Sequence, residues 1–271
     1  MKRSSGARMY AAVAVTALSF ALVSGCSDGG GKDAKGSGGS SPSPGGSSAP
    51  ASSSAPPAEA LTTAELQKLL LAEGDVKGYK TGNGKDTLPK GKSTVKADKA
   101  ACTPLAYAMA ALAPGDTDAV ARNLVTEDTP AATKDPDQLS DDDWASAMDR
   151  DVTLVGLSSY GGDGAAKTFK AVSDAVENCS GGFGVTADGE QQKITRIAPE
   201  KATGAGDESL AFTVDASVDG STTATAAFHT EVVRKGSVVA TFYTINFTAM
   251  TSGKAYSVPA AVVEAQAAKL P

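Results

Sequence analysis

The stretch from residue 209 to residue 247, SLAFTVDASVDGSTTATAAFHTEVVRKGSVVATFYTINF, decides the fold of this chain. Apolar and polar residues alternate through much of it, which is the pattern of β-strands with one buried face. Two turn signals, Asp219-Gly220 and Lys235-Gly236, interrupt the alternation, and Asp-Gly is a pair that two-residue hairpins prefer. The stretch therefore predicts an antiparallel meander of three strands, Ser209–Val218, Thr222–Val233 and Ser237–Phe247.

The third of these strands is apolar on both faces, because Phe242 and Tyr243 are neighbours whose side chains point in opposite directions. A strand of this kind is either central in its sheet or covered on both sides. We therefore expect the second face to meet the closing helix around Val263 and Leu270, or to form the floor of a ligand cleft.

Helix signals lie mostly before the meander. Helices are predicted to begin after Thr62, Thr103, Ser140, Asp163 and Pro259. Further strands are predicted at Ala119–Glu127, Val152–Tyr160 and Lys193–Ile197, and residues 75–97 are predicted to be a loop. Helices come first, strands follow at hairpin spacing, and a helix closes the chain. This order predicts an α+β domain, a twisted antiparallel sheet with helices packed on one face.

Residues 1–25 have the pattern of a secretory signal. A basic start is followed by 15 apolar residues from Met9 to Val23, fewer than the ~20 that a spanning helix needs. The string Val23-Ser24-Gly25-Cys26 resembles the lipobox of bacterial lipoproteins. This resemblance implies diacylglyceryl transfer to the Cys26 thiol, cleavage between Gly25 and Cys26, and anchoring at the extracytoplasmic face of the cell membrane. The alternative is an ordinary signal peptide with a chance cysteine.

A linker is predicted after the anchor. The 34 residues from Ser27 to Ala60 include 10 Ser, 8 Gly, 6 Ala and 5 Pro, and they have no apolar side chain larger than Ala or Pro. Such a segment buries too little surface to offset the entropy of ordering. The predicted organisation is therefore a signal peptide (1–25), a lipidated cysteine with a disordered linker (26–60) and one domain (61–271). The Ala-, Gly- and Ser-rich composition resembles that of actinobacterial proteins.

The two remaining cysteines, Cys102 and Cys179, both lie in the predicted domain. An even number of cysteines in an exported domain favours a disulfide, here closing a loop of about 77 residues. Two buried free thiols are the alternative.

The charge of the chain excludes some functions. The formal net charge is −6, with +3 in residues 1–25 and −1 in residues 26–60, so the predicted domain carries −8. An acidic domain argues against nucleic-acid binding, which depends on attraction to phosphates. The single histidine, His229, excludes metal sites and catalytic dyads that need two, and we interpret it as a strand residue. No cofactor is expected.

The acidic residues around position 140 are candidate calcium ligands. Asp141-Asp142-Asp143 could bind it together with Asp135 or Asp137, but the glycine turn and distal glutamate of a calcium loop are missing. The favourable interaction of acids with a helix N-terminus explains the run without a metal.

Two aromatic residues are the candidate ligand contacts. Trp144 is the only tryptophan and follows the three acids, and Tyr160 ends a predicted strand beside Gly161-Gly162. Both positions suit the rim of a cleft. Ordinary core packing is the alternative for each.

Three short stretches carry a family resemblance: Leu69-Leu70-Leu71 to Gly78-Tyr79, Val152–Cys179, and Gly206-Asp207-Glu208-Ser209 with the later Arg234-Lys235-Gly236. They resemble the extracytoplasmic sensor domain of mycobacterial receptor-type serine/threonine kinases and its lipoprotein relatives. The resemblance implies an antiparallel sheet backed by helices around a cleft, and ligand sensing rather than chemistry. That sensor domain uses two disulfides, whereas one pair is available here, so the loops around the cleft are expected to differ.

The sequence thus favours a lipid-anchored, non-catalytic ligand-binding or sensor-like domain, with a small ligand or a cell-envelope component as its partner. A cell-envelope hydrolase that uses carboxylates is the alternative, with Glu208 or Glu231 as candidates. An importer subunit is disfavoured because βαβ order is missing, and a structural surface protein is the residual option. The ligand, the protein partner and the oligomeric state are left open.

Overall fold

The computed structural model of the chain describes residues 59–85, 87–129, 140–217 and 225–271. The helices in this part of the chain are α1 (Thr63–Leu69), α2 (Thr103–Met109), α3 (Asp141–Met148), α4 (Gly164–Asn178), α5 (Phe247–Ser252) and α6 (Ala260–Lys269). The strands are β1 (Tyr79–Gly82), β2 (Val95–Ala97), β3 (Val120–Glu127), β4 (Val152–Ser159), β5 (Phe183–Ala187), β6 (Glu190–Glu200), β7 (Glu208–Ser217), β8 (Thr225–Lys235) and β9 (Val238–Ile245).

All of these strands join one antiparallel sheet in the order β1-β3-β4-β9-β8-β7-β6-β5-β2. The predicted α+β class is confirmed, and β7, β8 and β9 form the predicted meander. Lys235 pairs with Val238, so the tight turn consists of Gly236 and Ser237, one residue later than predicted. Gly236 has a φ of 54°, which a glycine adopts without strain. The predicted Asp219-Gly220 turn lies outside the described residues.

Helices α2 and α4 pack on one face of the sheet. The face of α4 that carries Phe169, Val172 and Val176 meets a core that includes Phe212 and Tyr243 of the sheet. These α4 residues recur at helical spacing, as the sequence predicts, so a single stripe of the helix supplies the contact. Cys179, at the end of α4, forms a disulfide with Cys102, just before α2, and the two Cα atoms are 5.9 Å apart. The bond ties the two helices of this face together.

Helices α1 and α6 cover the opposite face, where Phe242 is fully buried, so the helices lie on both faces of the sheet and not on one face as the α+β prediction stated. Tyr243 is 8 % exposed on the first face, so the prediction that β9 is covered on both sides is confirmed. The second face meets the closing helix through Val263 and Leu270, which are 0 % and 3 % exposed. The middle of this face is therefore packed protein, and it does not form the floor of a cleft.

Gln266 of α6 joins the first and last helices of the domain. Its side chain is fully buried, accepts a hydrogen bond from the backbone amide of Leu71 at 3.1 Å, and donates one to the carbonyl of Leu69 at 2.8 Å. Asn123 of β3 donates to the carbonyl of Leu71 at 2.8 Å. Two buried amide side chains thus satisfy the backbone where it leaves α1, as buried polar groups require.

Most helix starts follow the local signals. Thr62 and Glu65 form the predicted capping box at α1, and Ser140 and Asp143 form another at α3. At α2 the cap is Cys102, and the predicted cap Thr103 is the first helical residue. The side chain of Asp163 makes no capping hydrogen bond at α4.

The predicted loop over residues 75–97 is partly wrong, because it contains β1 and β2. Both are short edge strands whose sequences alternate weakly. They become strands through long-range pairing, β1 with β3 and β2 with β5. Strand β5 was also missed, although Asp188-Gly189, the turn that follows it, is a hairpin pair of the preferred type.

Candidate functional site

A polar pocket lies where β3 and β9 end and where β4 and α5 begin. Its volume is about 380 Å³. The lining residues that matter here are Tyr79, Glu127, Asp149, Asp151, Lys254 and Tyr256, and together they define what we call the terminal pocket. Glu127 and Asp151 are neighbours because β3 and β4 are antiparallel, and the amide of Glu127 donates to the carbonyl of Asp151 at 2.9 Å.

Asp151 is the half-buried carboxylate of the terminal pocket. One of its oxygens accepts a hydrogen bond from the side-chain amide of Asn246 at 3.0 Å. Burial raises the pKa of Asp151, the nearby carboxylates of Glu127 and Asp149 raise it further, and the bond from Asn246 opposes the shift. The pocket therefore holds a carboxyl group that retains its proton to higher pH than an ordinary aspartate.

The other charged groups of the terminal pocket form an ion pair. The Lys254 ammonium lies 2.9 Å from a carboxylate oxygen of Asp149. Its hydrogen bond lowers the pKa of Asp149, and the same contact raises the pKa of Lys254. Both groups therefore stay charged near neutral pH. The lining thus has three carboxyl groups, those of Glu127, Asp149 and Asp151, against one ammonium group.

Tyr256 connects the terminal pocket with the only histidine. Its hydroxyl donates to the carbonyl of Ala227 at 2.5 Å, and the edge of its ring meets the imidazole of His229 with 4.4 Å between the ring centres. Burial raises the pKa of Tyr256 to about 12. His229 in turn has its Nδ1 atom 2.9 Å from a carboxylate oxygen of Glu200. His229 is 8 % exposed and has local partners, so its interpretation as a strand residue fits its surroundings.

The sequence patterns do not predict the terminal pocket. Its charged residues come from positions 127, 149, 151 and 254, which are polar residues at element ends with no motif of their own. The nearest signal is the spacing of Asp149 and Asp151 just before a strongly apolar strand, because such positions collect at the edge of a sheet.

The two predicted aromatic contacts lie apart from this pocket. Trp144 is 51 % exposed on α3, a helix that contacts α5. Tyr160 is 5 % exposed, and its hydroxyl donates to Ser158 at 3.1 Å and accepts from the amide of Gly115 at 3.1 Å. The structure thus places Tyr160 in the core and not at a cleft rim. Neither residue is part of the lining of the terminal pocket.

The carboxylates considered for hydrolysis are both engaged. Glu208 forms an ion pair with Arg234 on the surface. Glu231 is 2 % exposed and accepts hydrogen bonds from the amide and the hydroxyl of Thr203 at 3.0 and 2.5 Å. The partner of Glu208 is on β8 and that of Glu231 is in the connection between β6 and β7, and neither carboxylate lines the terminal pocket.

Other sequence predictions can be placed only in part. Asp135 and Asp137, like Gly25 and Cys26, lie outside the described residues. Within the described ranges, no group of three or more His, Cys, Asp or Glu side chains is arranged to hold a metal ion. No helix in these ranges has the length and apolarity needed to cross a membrane.

The chain is similar to proteins of known structure. No protein-family model matches the chain, and no curated protein matches it. Three solved chains are similar to it. One of them is the crystal structure of the extracellular domain of PknH from Mycobacterium tuberculosis, with 13% sequence identity and a TM-score of 0.45. The match covers 78% of this chain and 95% of that chain. Both the identity and the TM-score are low, so this similarity carries no argument about function.

Proposed function

We propose that this chain is an extracytoplasmic lipoprotein, anchored to the cell membrane through Cys26, whose folded domain binds a ligand without chemical conversion. The signal pattern of residues 1–25 and the composition of residues 26–60 support the anchor. The disulfide between Cys102 and Cys179 supports an oxidising compartment, since such bonds persist there.

The terminal pocket is the observation that carries the binding function. It is concave, it has two tyrosine rings, and it combines charges of both signs with an amide, which is typical of ligand sites. Its lysine does not suit a general base, because Asp149 raises the pKa of Lys254 whereas such a base needs a lowered one. The excess of negative charge and the rings of Tyr79 and Tyr256 favour a ligand with an ammonium group.

The anchor is tested by replacing Cys26 with Ser in the full chain. We expect Cys26→Ser to leave the detergent phase or to stay unprocessed, because the acyl-accepting thiol is gone. Ser27→Ala, one position further on, is the matched control and should partition like the wild type. Normal processing of Cys26→Ser with retention in the detergent phase would refute the lipoprotein assignment.

The pocket is tested by titrating the full chain in neutral detergent with putrescine, a small diamine, and following tyrosine fluorescence. Asp151→Asn keeps the shape and the bond from Asn246 but removes a negative charge, so we expect putrescine to bind about tenfold more weakly, as for loss of one charged hydrogen bond. Asp174→Asn changes an exposed acid on α4 and should have no effect. Equal affinity of wild type and Asp151→Asn would exclude this pocket as the amine site.

A carboxylate hydrolase is the second candidate, and one observation favours it. Asp151 has a raised pKa and lies beside Glu127, which is the combination that a general acid and a second carboxylate require. Release of soluble fragments from cell-wall polymer by the wild type, with loss of this release in Asp151→Asn, would establish the hydrolase in place of the binding domain.

A further inference from the structure

A second cavity lies at the opposite end of β3 from the terminal pocket. Strand β1 ends at Gly82, which pairs with Leu124, so the first half of β3 has no strand on its outer side. The chain after β1 passes beside this open edge. A cavity of about 420 Å³ remains between that segment, β3 and α1. We call it the basic pocket, and its polar lining residues are Gln67, Asn83, Lys85, Lys90 and Arg122.

Every charged residue in the described lining of the basic pocket is a cation. Lys85 and Lys90 are exposed on the loop, and Arg122 is half-buried on β3. Asp86, which lies between Lys85 and Thr87 in the sequence, is outside the described residues, so the described lining has three cations on a domain whose formal charge is −8. Three positive charges around one concavity produce a local positive potential that attracts anions.

Arg122 differs from the two exposed lysines because its guanidinium is half-buried. Its Nη1 atom donates to the carbonyl of Pro89 at 2.8 Å, and no carboxylate of the described residues forms an ion pair with it. Burial lowers the pKa of Arg122, although a guanidinium of this kind stays charged at neutral pH. A half-buried charge without a counter-charge is costly, and an anion in the cavity would remove that cost.

Described residues on both sides of position 86 make local contacts beside Arg122. The amides of Thr87 and Leu88 donate to the carbonyl of Gly84 at 3.0 and 2.8 Å, and the amide of Lys85 donates to the side chain of Asn83 at 3.1 Å. Gly84 has a φ of 61°, and a Cβ atom there would lie 2.7 Å from Leu88. These bonds restrain the backbone at Gly84 and Lys85, and a restrained backbone loses less entropy on binding.

We propose that the basic pocket binds a small soluble anion with two or more negative charges, of the phosphate type. The guanidinium of Arg122 offers paired donors to phosphate oxygens, and Lys85 and Lys90 add point charges from the rim. This site is independent of the terminal pocket, because the two cavities share no lining residue and have opposite charge.

Calorimetric titration of the full chain in neutral detergent with inorganic pyrophosphate tests the proposal, with acetate as a monovalent control. We expect pyrophosphate to bind and acetate not to bind. Arg122→Gln should weaken pyrophosphate binding at least tenfold, the loss expected for a charged hydrogen bond. Arg196→Gln is the matched control, because Arg196 is an exposed arginine on β6 that faces Asp215 at 3.9 Å, and it should bind like the wild type.

A second variant keeps the test decisive if Arg122→Gln does not fold. The double change Lys85→Gln and Lys90→Gln alters only exposed side chains, and it should weaken pyrophosphate binding several-fold without changing thermal stability. Absence of pyrophosphate binding by the wild type at millimolar concentration would overturn the proposal. Unchanged binding in the double variant, or in a folded Arg122→Gln, would overturn it as well.

Discussion

Phe242 and Tyr243 are adjacent on β9, yet their rings belong to two separate cores, one under α1 and α6 and the other under α2 and α4. Phe242 is fully buried. Replacing it with Ala should lower the free energy of unfolding by about 3–5 kcal/mol, because the cavity would lie in the middle of a packed layer. Urea denaturation measures this.

Phe247→Ala is the matched control for that change, since the same atoms are removed from a ring that is 49 % exposed. Its effect should be clearly smaller. Equal losses for the two variants would contradict the assignment of Phe242 to the central layer of the fold.

The Cys102–Cys179 disulfide links the helix pair on one face of the sheet. Replacing both cysteines with Ala should lower the free energy of unfolding by about 2–4 kcal/mol, because the unfolded chain gains freedom. Denaturation of the wild type with and without reductant should show a similar difference. A double variant as stable as the oxidised wild type would show that the bond adds nothing to stability.

The buried carboxyl group of Glu231 should make the stability of the fold depend on pH. Burial raises its pKa, so the folded chain holds the proton more tightly than the unfolded chain. Protonated Glu231 therefore contributes to the free energy of unfolding. This contribution is fully present below the ordinary glutamate pKa of about 4.3, and it is lost as the pH rises through the raised pKa of the folded chain. Glu231→Gln keeps an acceptor for Thr203 and cannot ionise, so it should gain stability relative to the wild type across that window.

Thermal unfolding of both proteins from pH 4 to pH 8 measures the difference. Glu177→Gln, an exposed change on α4, should follow the wild type at every pH. If the melting temperatures of the wild type and Glu231→Gln change with pH in parallel, ionisation of Glu231 does not lower the stability of the fold.

Gly156 of β4 allows the backbone of Ala111 to lie close to the sheet. A Cβ atom there would lie 2.5 Å from the carbonyl oxygen of Ala111 and 2.7 Å from the hydroxyl of Thr241. Gly156→Ala should therefore cost about 1–3 kcal/mol or more in unfolding free energy, as overpacking does. Gly161→Ala is the control, because no atom lies within 4 Å of its added Cβ. Similar stability of the two variants would contradict the contact.

The sequence predicted the parts of the fold that have strong local patterns. The alternation in β7 and the stripe of Phe169, Val172 and Val176 on α4 are direct consequences of burying one face, whereas β9 is apolar on both faces because both are covered. The edge strands β1 and β2 have no comparable pattern, since an edge strand of three or four residues buries little. Their pairing depends on neighbours far along the chain.

The candidate sites could not be predicted in the same way. In the terminal pocket, Asp149 pairs with Lys254, which is about a hundred residues further along the chain. His229 lies beside Glu200 only because the register of the sheet brings their strands together. Each of these residues is an ordinary polar position in its own segment. Conversely, Tyr160 looked like a rim residue beside two glycines, but the folding of α4 over the sheet buries it.

The hydrogen bonds between Gln266 and the backbone just after α1 have a mechanical consequence. In a chain tethered through Cys26, tension enters the domain at its first helix. The side chain of Gln266 is hydrogen-bonded to the backbone of Leu69 and Leu71, and Lys269 forms an ion pair with Asp75. A pull on such a tether would load the sheet and the last helix together, because the amide of Leu61 is bonded to the hydroxyl of Ser159 on β4 while Gln266 is bonded to the backbone just after the first helix.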